Sequence, residues 1–193
     1  MTNDDSEIRS WTVHRTRTVY DGRPFVRVDL ADVTAPDGSR FDYHVVRLPR
    51  VAIALVVDED VGAVLLLWRE RWVVGKWGYE LFGGLVEDGE APAATAEREA
   101  LEESGWRPRG PAEHLLALDP LPGIADATMD IYLWRHGADR VGEPSDAQEV
   151  VRGVRLLALA FVVLVGWSIG TALAAPGSDS VSARLAEKAA TTA

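Results

Sequence analysis

The order of apolar and polar residues divides the chain into strands, a helix and a long apolar segment. Near the amino terminus the two classes alternate along WTVHRTRTVY, PFVRVDLADVTA and FDYHVVRL, which are separated by the turn sequences DGR and APDGSR. Alternation with a period of two is typical of strands, so residues 1–50 are predicted to form an antiparallel meander. The stretches VAIALVV and AVLLLWRER flank the turn DEDVG and are almost continuously apolar. This pattern predicts a hairpin in a sheet that is covered on both faces.

The period changes after the sequence KWGYELFGGLVEDGE. Pro92 suits a first helical turn, alanine-rich residues follow it, and Gly105 stands where a helix commonly ends. These signals predict a helix from Ala91 to Ser104.

Small residues and carboxylates lie on different sides of the predicted helix. At about 100° per residue, one side carries a stripe of small residues that allows close packing on a sheet: Ala93, Ala96, Ala100 and Ser104. A neighbouring face carries three carboxylates: Glu99, Glu102 and Glu103. Glu97 falls near the small stripe and is expected at its rim or beside a partner.

The carboxy-terminal part contains an uncharged segment at residues 156–178, with Arg152 and Arg155 just before it. Its length is sufficient to cross a bilayer, but its Gly, Ser, Thr and Pro residues favour a packed strand over Val150–Leu156 followed by helical pieces. The main domain is therefore predicted over residues 51–175, followed by a flexible tail over residues 176–193.

Composition narrows the class of protein. The chain has 193 residues, a formal net charge of −10 and no cysteine. An acidic chain does not suit a nucleic-acid backbone as partner, since phosphate contacts need clustered Lys and Arg. Without cysteine, thiol nucleophiles, disulfides and Cys-ligated zinc are excluded, and the four histidines are too far apart for an HExxH site. The polar amino terminus does not resemble a secretory signal, and a cytoplasmic protein is expected.

The spacing of the helical carboxylates indicates a possible metal site. Glu99 lies three residues before Glu102 and four before Glu103, and like charges at these spacings repel one another. A cation removes the repulsion, and hard oxygen ligands favour Mg²⁺, with Mn²⁺ as a substitute. Arg98 is placed to pair with Glu102 one turn later and to orient it. On the carboxylates alone, a solvated acidic face explains the pattern equally well.

The glycines before the helix favour the metal site. Gly83, Gly84 and Gly89 form a tight loop whose backbone can approach a ligand. Gly84, Glu90 and the run REALEESGW over residues 98–106 resemble the Nudix box, G-x5-E-x7-REUxEExGU, in all its invariant positions. Ala100 and Trp106 are the small departures, since the family usually has bulky aliphatic residues there.

The resemblance implies an α/β/α sandwich with a mixed sheet, and hydrolysis of a diphosphate linked to a further group, often in a nucleoside diphosphate. It implies that Glu99 and Glu103 are metal ligands, that Glu102 is a further ligand or the base, and that the Gly83 carbonyl completes the metal shell. Catalytic residues would then be Arg98 with these three glutamates. Gly84, Glu90 and Gly105 would belong to the structural motif, with Glu90 and Arg98 fixing the loop and helix.

A weaker resemblance to the ADP-ribose pyrophosphatase branch covers about Val19 to Ala175. It implies that Arg71 and Glu80 line the substrate site and that the amino-terminal strands form a homodimer. Two departures leave the substrate open, because Phe82 replaces a usual Pro and Ala127 stands where the branch carries a catalytic Glu. The base is then Glu102 or Glu103, or a residue of the loop LPGIADATMD, namely Asp126 or Asp130.

Aromatic and basic residues near the glycine loop are further candidates. Trp72, Trp77 and Tyr79 suit stacking on a nucleobase, although packing in a core or dimer is at least as common for aromatics. Arg69 and Arg71 suit a diphosphate or a strand end, and Arg71 is the stronger candidate because its planar fork matches a phosphate. The expected substrate site thus contains Arg71, Glu80, Trp77 and Asp126.

The function predicted from the sequence is a Mg²⁺-dependent Nudix hydrolase acting on a small nucleoside diphosphate derivative, such as ADP-ribose or a nucleotide sugar. Two alternatives stay open. One is a nucleotide-sensing Nudix module without turnover, which the complete set of Arg98, Glu99, Glu102 and Glu103 disfavours. The other is a membrane-associated protein anchored by residues 156–178.

Overall fold

A computed structural model describes residues 10–145 and the backbone of residues 151–158. The described chain is rich in strands and contains one helix, α1, at Pro92–Ser104. Thirteen strands follow in chain order: β1 Thr12–Gly22, β2 Val26–Thr34, β3 Arg40–Arg47, β4 Val51–Asp58, β5 Ala63–Arg71, β6 Lys76–Glu80, β7 Phe82–Leu85, β8 Trp106–Pro108, β9 Glu113–Leu118, β10 Ala125–Asp126, β11 Met129–Trp134, β12 Ala138–Arg140 and β13 Val151–Ala158.

The described residues divide into two compact units. The first takes residues 10–53, 83–96 and 114–132, and the second takes residues 54–82, 97–113, 133–145 and 151–158. The division does not follow the sequence order, because each unit collects three or more separate segments.

The amino-terminal strands form the predicted meander within the first unit. Strands β1, β2 and β3 pair antiparallel in order, and the short β10 adds to β3 in parallel. Along β2, Asp29, Ala31 and Val33 are buried, so this face of the sheet is covered. A buried aspartate in this row requires partners, and its contacts are described below.

The predicted hairpin is present in the second unit. Strands β4 and β5 pair antiparallel around the turn at Glu59–Gly62, and β6 and β13 pair antiparallel with β5. The first five residues of β5 are all buried, as its continuous apolar sequence predicts. Large side chains fill the core of this unit: Val56, Leu67, Phe82 and Trp134.

The carboxy-terminal prediction is tested only at its beginning. Strand β13 lies at Val151–Ala158, where a strand over Val150–Leu156 is predicted. The rest of the segment at 156–178 and the tail at 176–193 lie outside the described residues. Among the described residues, no helix combines the length and the apolar composition needed to cross a membrane. The domain boundaries at residues 50 and 175 stay a prediction.

Candidate active site

Helix α1 begins and ends where the local signals predict. Pro92 is its first residue, and Gly105 follows its last with a φ of 74°, a conformation that favours glycine. The Gly105 amide donates to the Leu101 carbonyl at 2.7 Å, and a Cβ at Gly105 would collide with the carbonyl oxygen of Gly142. The end of the helix is therefore fixed both by conformation and by packing.

The two faces of α1 differ as predicted. Ala96 and Ala100 are buried, while Glu97 is exposed at the rim of the small stripe. The three motif carboxylates differ in burial: the side chain of Glu103 is 4% exposed, that of Glu99 16% and that of Glu102 42%. They therefore face different environments rather than one solvated surface.

Arg98 joins the two more accessible carboxylates. Its Nη1 donates to Glu99 Oε1 at 2.8 Å and to Glu102 Oε2 at 3.0 Å. The predicted pairing of Arg98 with Glu102 is present, and Glu99 shares it. Two carboxylate oxygens thus converge on one positive nitrogen, which offsets their mutual repulsion.

Glu103 is held by a buried arginine on β5. Arg69 is 2% exposed and donates through Nη1 to Glu103 and through Nε to Glu80, the latter at 2.9 Å. Arg71 also bonds Glu80, with Nη2 at 2.7 Å. The network Glu103–Arg69–Glu80–Arg71 therefore joins a motif carboxylate to two of the four residues expected at the substrate site, Arg71 and Glu80.

The sequence gives little signal for the role of Arg69. Its position beside Arg71 on an apolar strand is equally consistent with an exposed strand end. Side chains alternate between the faces of a strand, so Arg69 shares a face with the buried Leu67, and only this period could have indicated burial.

The aromatic candidates lie on the opposite face of the β5–β6 hairpin. Trp68 is directly opposite Tyr79, and Glu70 is opposite Trp77. The ring of Trp68 lies 4.6 Å from that of Tyr79 and 6.3 Å from that of Trp77. Residues opposite each other share a face, so Trp77 is not on the face of Arg71 and Glu80.

Trp72 and Trp68 have different surroundings. Trp72 lies in the turn between β5 and β6 and is 83% exposed, apart from the Trp68 cluster. Trp68 was not among the residues predicted for the site. Its partners follow from the register between β5 and β6, for which the sequence carries no direct signal.

In the first unit, the glycine loop is fixed by close backbone packing. A Cβ at Gly83 would collide with the Ile53 side chain and stand 2.7 Å from the Ala52 carbonyl oxygen, so only glycine fits without a shift. Gly84 follows it in β7. Glu90 accepts a hydrogen bond from the buried Thr95 hydroxyl at 2.7 Å, which ties the loop to the first turns of α1.

The two aspartates of the downstream loop have different surroundings, also in the first unit. Asp126 has a side chain 63% exposed and pairs with Arg47. Asp130 is 1% exposed and accepts from Arg50 Nη2 at 2.9 Å, and its other neighbour is His114 Nε2 at 3.1 Å. The Arg50 hydrogen bonds, with those of His114, outweigh burial and hold the pKa of Asp130 below its ordinary value.

The carboxylates of α1 have the chemistry that a hard divalent cation requires. They are oxygen ligands, and two of them already converge on a single positive charge at Arg98. In residues 10–145, no three His, Cys, Asp or Glu side chains are grouped closely enough to hold a metal ion together. The donor atoms are of the kind that a hard divalent cation prefers, but the three carboxylates of α1 would have to come closer together to share one.

Comparison with known proteins agrees with the motif. Residues 47–161 match the NUDIX domain, and residues 11–46 match the nucleoside diphosphate sugar hydrolase N-terminal domain. A solved structure described as an ADP compounds hydrolase shares the fold, with a TM-score of 0.68 and 19% identity over 82% of this chain and 83% of that one. The predicted fold class is confirmed.

Curated relatives include hydrolases and an activator. The chain is 46% identical over 139 residues to the CMP-5'-(N-acetyl-N-hydroxy-3-aminopropyl)phosphonate hydrolase of Streptomyces rubellomurinus, covering 72% of this chain and 66% of that protein. It is 34% identical over 99 residues to an ADP-ribose pyrophosphatase of Mycobacterium tuberculosis, covering 51% and 47%. It is 29% identical over 119 residues to the methanol dehydrogenase activator of Bacillus methanolicus, covering 62% and 63%.

The matched segments span less than two thirds of the length of each of these relatives. The NUDIX match itself covers more than half of this chain and contains the complete motif from Gly84 to Trp106. The predicted resemblance is confirmed, and the chain belongs to the NUDIX domain family.

Proposed function

We propose that this protein is a Mg²⁺-dependent hydrolase that cleaves the diphosphate bond of a nucleoside diphosphate linked to another moiety, such as ADP-ribose or a nucleotide sugar. The products are a nucleoside monophosphate and a phosphorylated remainder. The observation that carries the proposal is the arrangement of the motif carboxylates. Glu99 and Glu102 converge on Arg98, and Glu103 is held by the buried Arg69.

In the proposed site, Glu99 and Glu103 would hold Mg²⁺, or Mn²⁺ in its place, Glu102 would be a further ligand or the base, and the Gly83 carbonyl remains a predicted further ligand. The chemistry that such a cation would supply there is neutralisation of diphosphate charge and activation of a water molecule for attack on phosphorus. Arg98 keeps Glu99 and Glu102 oriented, and Arg69 keeps Glu103 fixed. Glu102 is the most exposed of the three and is the proposed base, since it can exchange a proton with solvent.

Arg71 is the proposed phosphate contact of the substrate. Its side chain is 43% exposed and its bonds to Glu80 fix its direction, so its guanidinium group reaches the surface in one orientation. Trp77 and Asp126 stay predicted substrate contacts. Trp77 lies on the opposite face of the hairpin from Arg71 and Glu80. It could therefore stack on the nucleobase of the substrate only if the substrate extended around the edge of the hairpin.

The proposed protein is a cytoplasmic homodimer that associates through the amino-terminal strands. Large apolar side chains are exposed on this part of the chain, including Trp11, Val13 and Phe25. Trp11 and Val13 lie at one end of the β1–β2 hairpin and Phe25 at the other, and contacts along both strands in a dimer would cover them. Light scattering of the full chain measures the state, and a monomer at micromolar concentration contradicts the dimer.

The test is hydrolysis of a panel of nucleoside diphosphate derivatives with Mg²⁺ and with Mn²⁺. The panel includes ADP-ribose, nucleotide sugars and a CMP-linked phosphonate, the last because of the name of the Streptomyces relative. Glu99→Gln removes a proposed ligand, and the exposed Glu97→Gln on the same helix is the matched control. We expect Glu99→Gln to lower kcat by more than about 100-fold and Glu97→Gln to leave it unchanged.

Two other outcomes contradict the proposal. Equal activity in both variants removes Glu99 from the site. If members of the panel raise the melting temperature of the protein but none is hydrolysed with either metal, the chain is a nucleotide-sensing module instead.

A further inference from the structure

Residues of alternating charge form a series of ion pairs within the second unit, which we call the ion-pair chain. Their order is Glu103 on α1, Arg69 on β5, Glu80 on β6 and Arg71 on β5. Arg69 donates through Nη1 to Glu103 and through Nε to Oε2 of Glu80, the latter at 2.9 Å. Nε of Arg71 donates to the same Oε2, also at 2.9 Å. The two arginines therefore share one carboxylate oxygen of Glu80.

The ion-pair chain becomes more accessible from one end to the other. The exposed fraction of the side chain is 4% at Glu103, 3% at Arg69, 28% at Glu80 and 43% at Arg71. An anion in solution can therefore contact Arg71, whereas Arg69 is out of its reach. Within the ion-pair chain, a change at Arg71 affects Glu103 only through the two residues between them.

Each bond in the ion-pair chain depends on its neighbour. Hydrogen bonds in a network of low dielectric polarise one another, so a carboxylate that loses one arginine binds the other more strongly. If Arg71 turns towards an anion, Glu80 draws more strongly on the positive charge of Arg69. Less of that charge is then left to neutralise Glu103. Glu103 thereby becomes a stronger ligand for a cation.

We propose that Arg69 is a positioning residue that couples Arg71 to Glu103, so that an anion at Arg71 and a divalent cation at Glu103 strengthen each other's binding. The inference rests on the proposed function, in which Arg71 contacts the substrate and Glu103 holds the cation. The carboxylates of α1 have to come closer together to share a cation, and a weaker bond from Arg69 gives Glu103 that freedom. The site therefore binds its cation more tightly once the substrate is present, and thermodynamic linkage makes the effect reciprocal.

The experiment measures binding of Mn²⁺ to the full chain by calorimetry, in the absence of any nucleotide. Arg71→Gln imitates the release of Arg71 from Glu80, and we expect it to tighten binding of Mn²⁺ by about fivefold. Lys76→Gln is the matched control, because Lys76 is exposed, lies directly opposite Arg71 in the hairpin and carries the same charge. In residues 10–145, Lys76 forms no ion pair with Glu80. The control is expected to change the affinity by less than about twofold, because solvent and salt screen an exposed charge.

Glu80→Gln is the second variant, and the expected change has the opposite sign. Without the charge of Glu80, Arg69 is left to bind Glu103 more strongly, so binding of Mn²⁺ should weaken by about fivefold. Glu70→Gln is its matched control, because it removes the same charge from the opposite face of the hairpin. The difference between each variant and its control measures the coupling apart from the change in net charge.

Arg69→Lys tests the residue that joins the two ends of the ion-pair chain. Lysine keeps a positive charge at this position but lacks the planar fork that holds two carboxylates in fixed directions. In the Arg69→Lys background, Arg71→Gln should therefore bind Mn²⁺ no more tightly than Lys76→Gln, and tighter binding overturns the proposal. Urea unfolding checks that each variant is folded. If Arg69→Lys is not folded, the comparison of Glu80→Gln with Glu70→Gln decides, since Arg69 is unchanged in both.

The signs of the changes distinguish coupling from a structural role. Changes that only loosened the site would weaken binding of Mn²⁺ in both Arg71→Gln and Glu80→Gln, and that result overturns the proposal. Equal affinities of Arg71→Gln and Lys76→Gln also overturn it, but leave the proposed hydrolase intact as long as the native chain binds Mn²⁺. A native chain that does not bind Mn²⁺ overturns both the coupling and the proposed metal site.

Discussion

Each of the two units contains a network of ion pairs around one buried charge, and the sign of that central charge differs between the units. In the second unit a buried cation, Arg69, holds the carboxylates Glu80 and Glu103. In the first unit a buried anion, Asp29, holds the guanidinium groups of Arg27 and Arg47. The centres are similarly inaccessible, at 2% and 3% exposure.

The difference shows how a buried charge determines what its partners can bind. A buried centre must be paired, because an isolated ion in the interior is costly. The side chains that pair with the buried charge are then fixed in orientation. Their lone pairs or N–H groups that do not contact the buried charge are directed away from it. Arg69 thereby fixes two carboxylates, and Asp29 fixes two guanidinium groups.

The largest effect is expected when the buried cation is removed. Arg69→Met leaves Glu103 buried without its main partner, which costs about 3 to 5 kcal/mol of unfolding free energy. Arg71→Met is the matched change, since Arg71 is 43% exposed and also bonds Glu80, and it is expected to cost less than about 1 kcal/mol. Urea unfolding at pH 7 measures both values. Equal costs would show that burial of Arg69 does not distinguish it.

The next effect concerns orientation of the carboxylates. Arg98→Gln is expected to weaken binding of Mn²⁺ by about 10 to 100-fold, because Glu99 and Glu102 lose the group that fixes them. Calorimetry with Mn²⁺ measures the affinity, and Arg107→Gln, an exposed change just after the helix, is the control. Tighter binding by Arg98→Gln would show instead that Arg98 competes with the cation.

A smaller effect is expected at the buried anion. Asp29→Asn keeps the size of the side chain and an acceptor oxygen, but removes the charge that holds Arg27 and Arg47. The midpoint of urea unfolding should fall, though by less than in Arg69→Met. Asp32→Asn on the same strand is the control, because Asp32 is more exposed and pairs with Arg40. A midpoint unchanged in Asp29→Asn would remove the anion-centred network as a source of stability.

The smallest predicted effect concerns Asp130 and changes stability only at acidic pH. The pKa of Asp130 is lowered in the folded chain, chiefly by its hydrogen bonds with Arg50, so its stabilising contribution is fully present above its ordinary value of 3.8. That contribution is lost as the pH falls through the lower folded pKa. Asp130→Asn should therefore unfold with a shallower pH dependence below pH 3.8 than the native chain, as followed by circular dichroism. If the two proteins show the same pH dependence of unfolding below pH 3.8, this prediction is contradicted.

Much of the fold was predictable because its signals are local. Pro92 and Gly105 mark the ends of α1, and the observed helix differs from the predicted one by a single residue at its start. The hairpin of β4 and β5 follows from two apolar stretches around a polar turn. Such signals depend on neighbours in sequence, and no distant contact is needed to interpret them.

The networks were not predictable because their partners are distant in sequence. Arg69 and Glu103 are 34 residues apart, and Arg47 and Asp126 are 79 apart. In β2 the period of two places Asp29 on one face with Ala31 and Val33 but also with Arg27, so the sequence alone does not show that Asp29 is buried. Its burial depends on arginines from two strands, and only the register between β2 and β3 brings them together.

The bond between Arg69 and Glu103 also links cation binding to stability. It joins β5 to α1 across 34 residues, so the unfolded chain does not present Glu103 in this orientation. A cation that prefers the oriented carboxylates then binds the native state alone, and mass action shifts the folding equilibrium. At a free cation concentration of 100 times Kd, the added stability is about 2.7 kcal/mol. Binding of the proposed Mg²⁺ ion would therefore raise the free energy of unfolding of this protein.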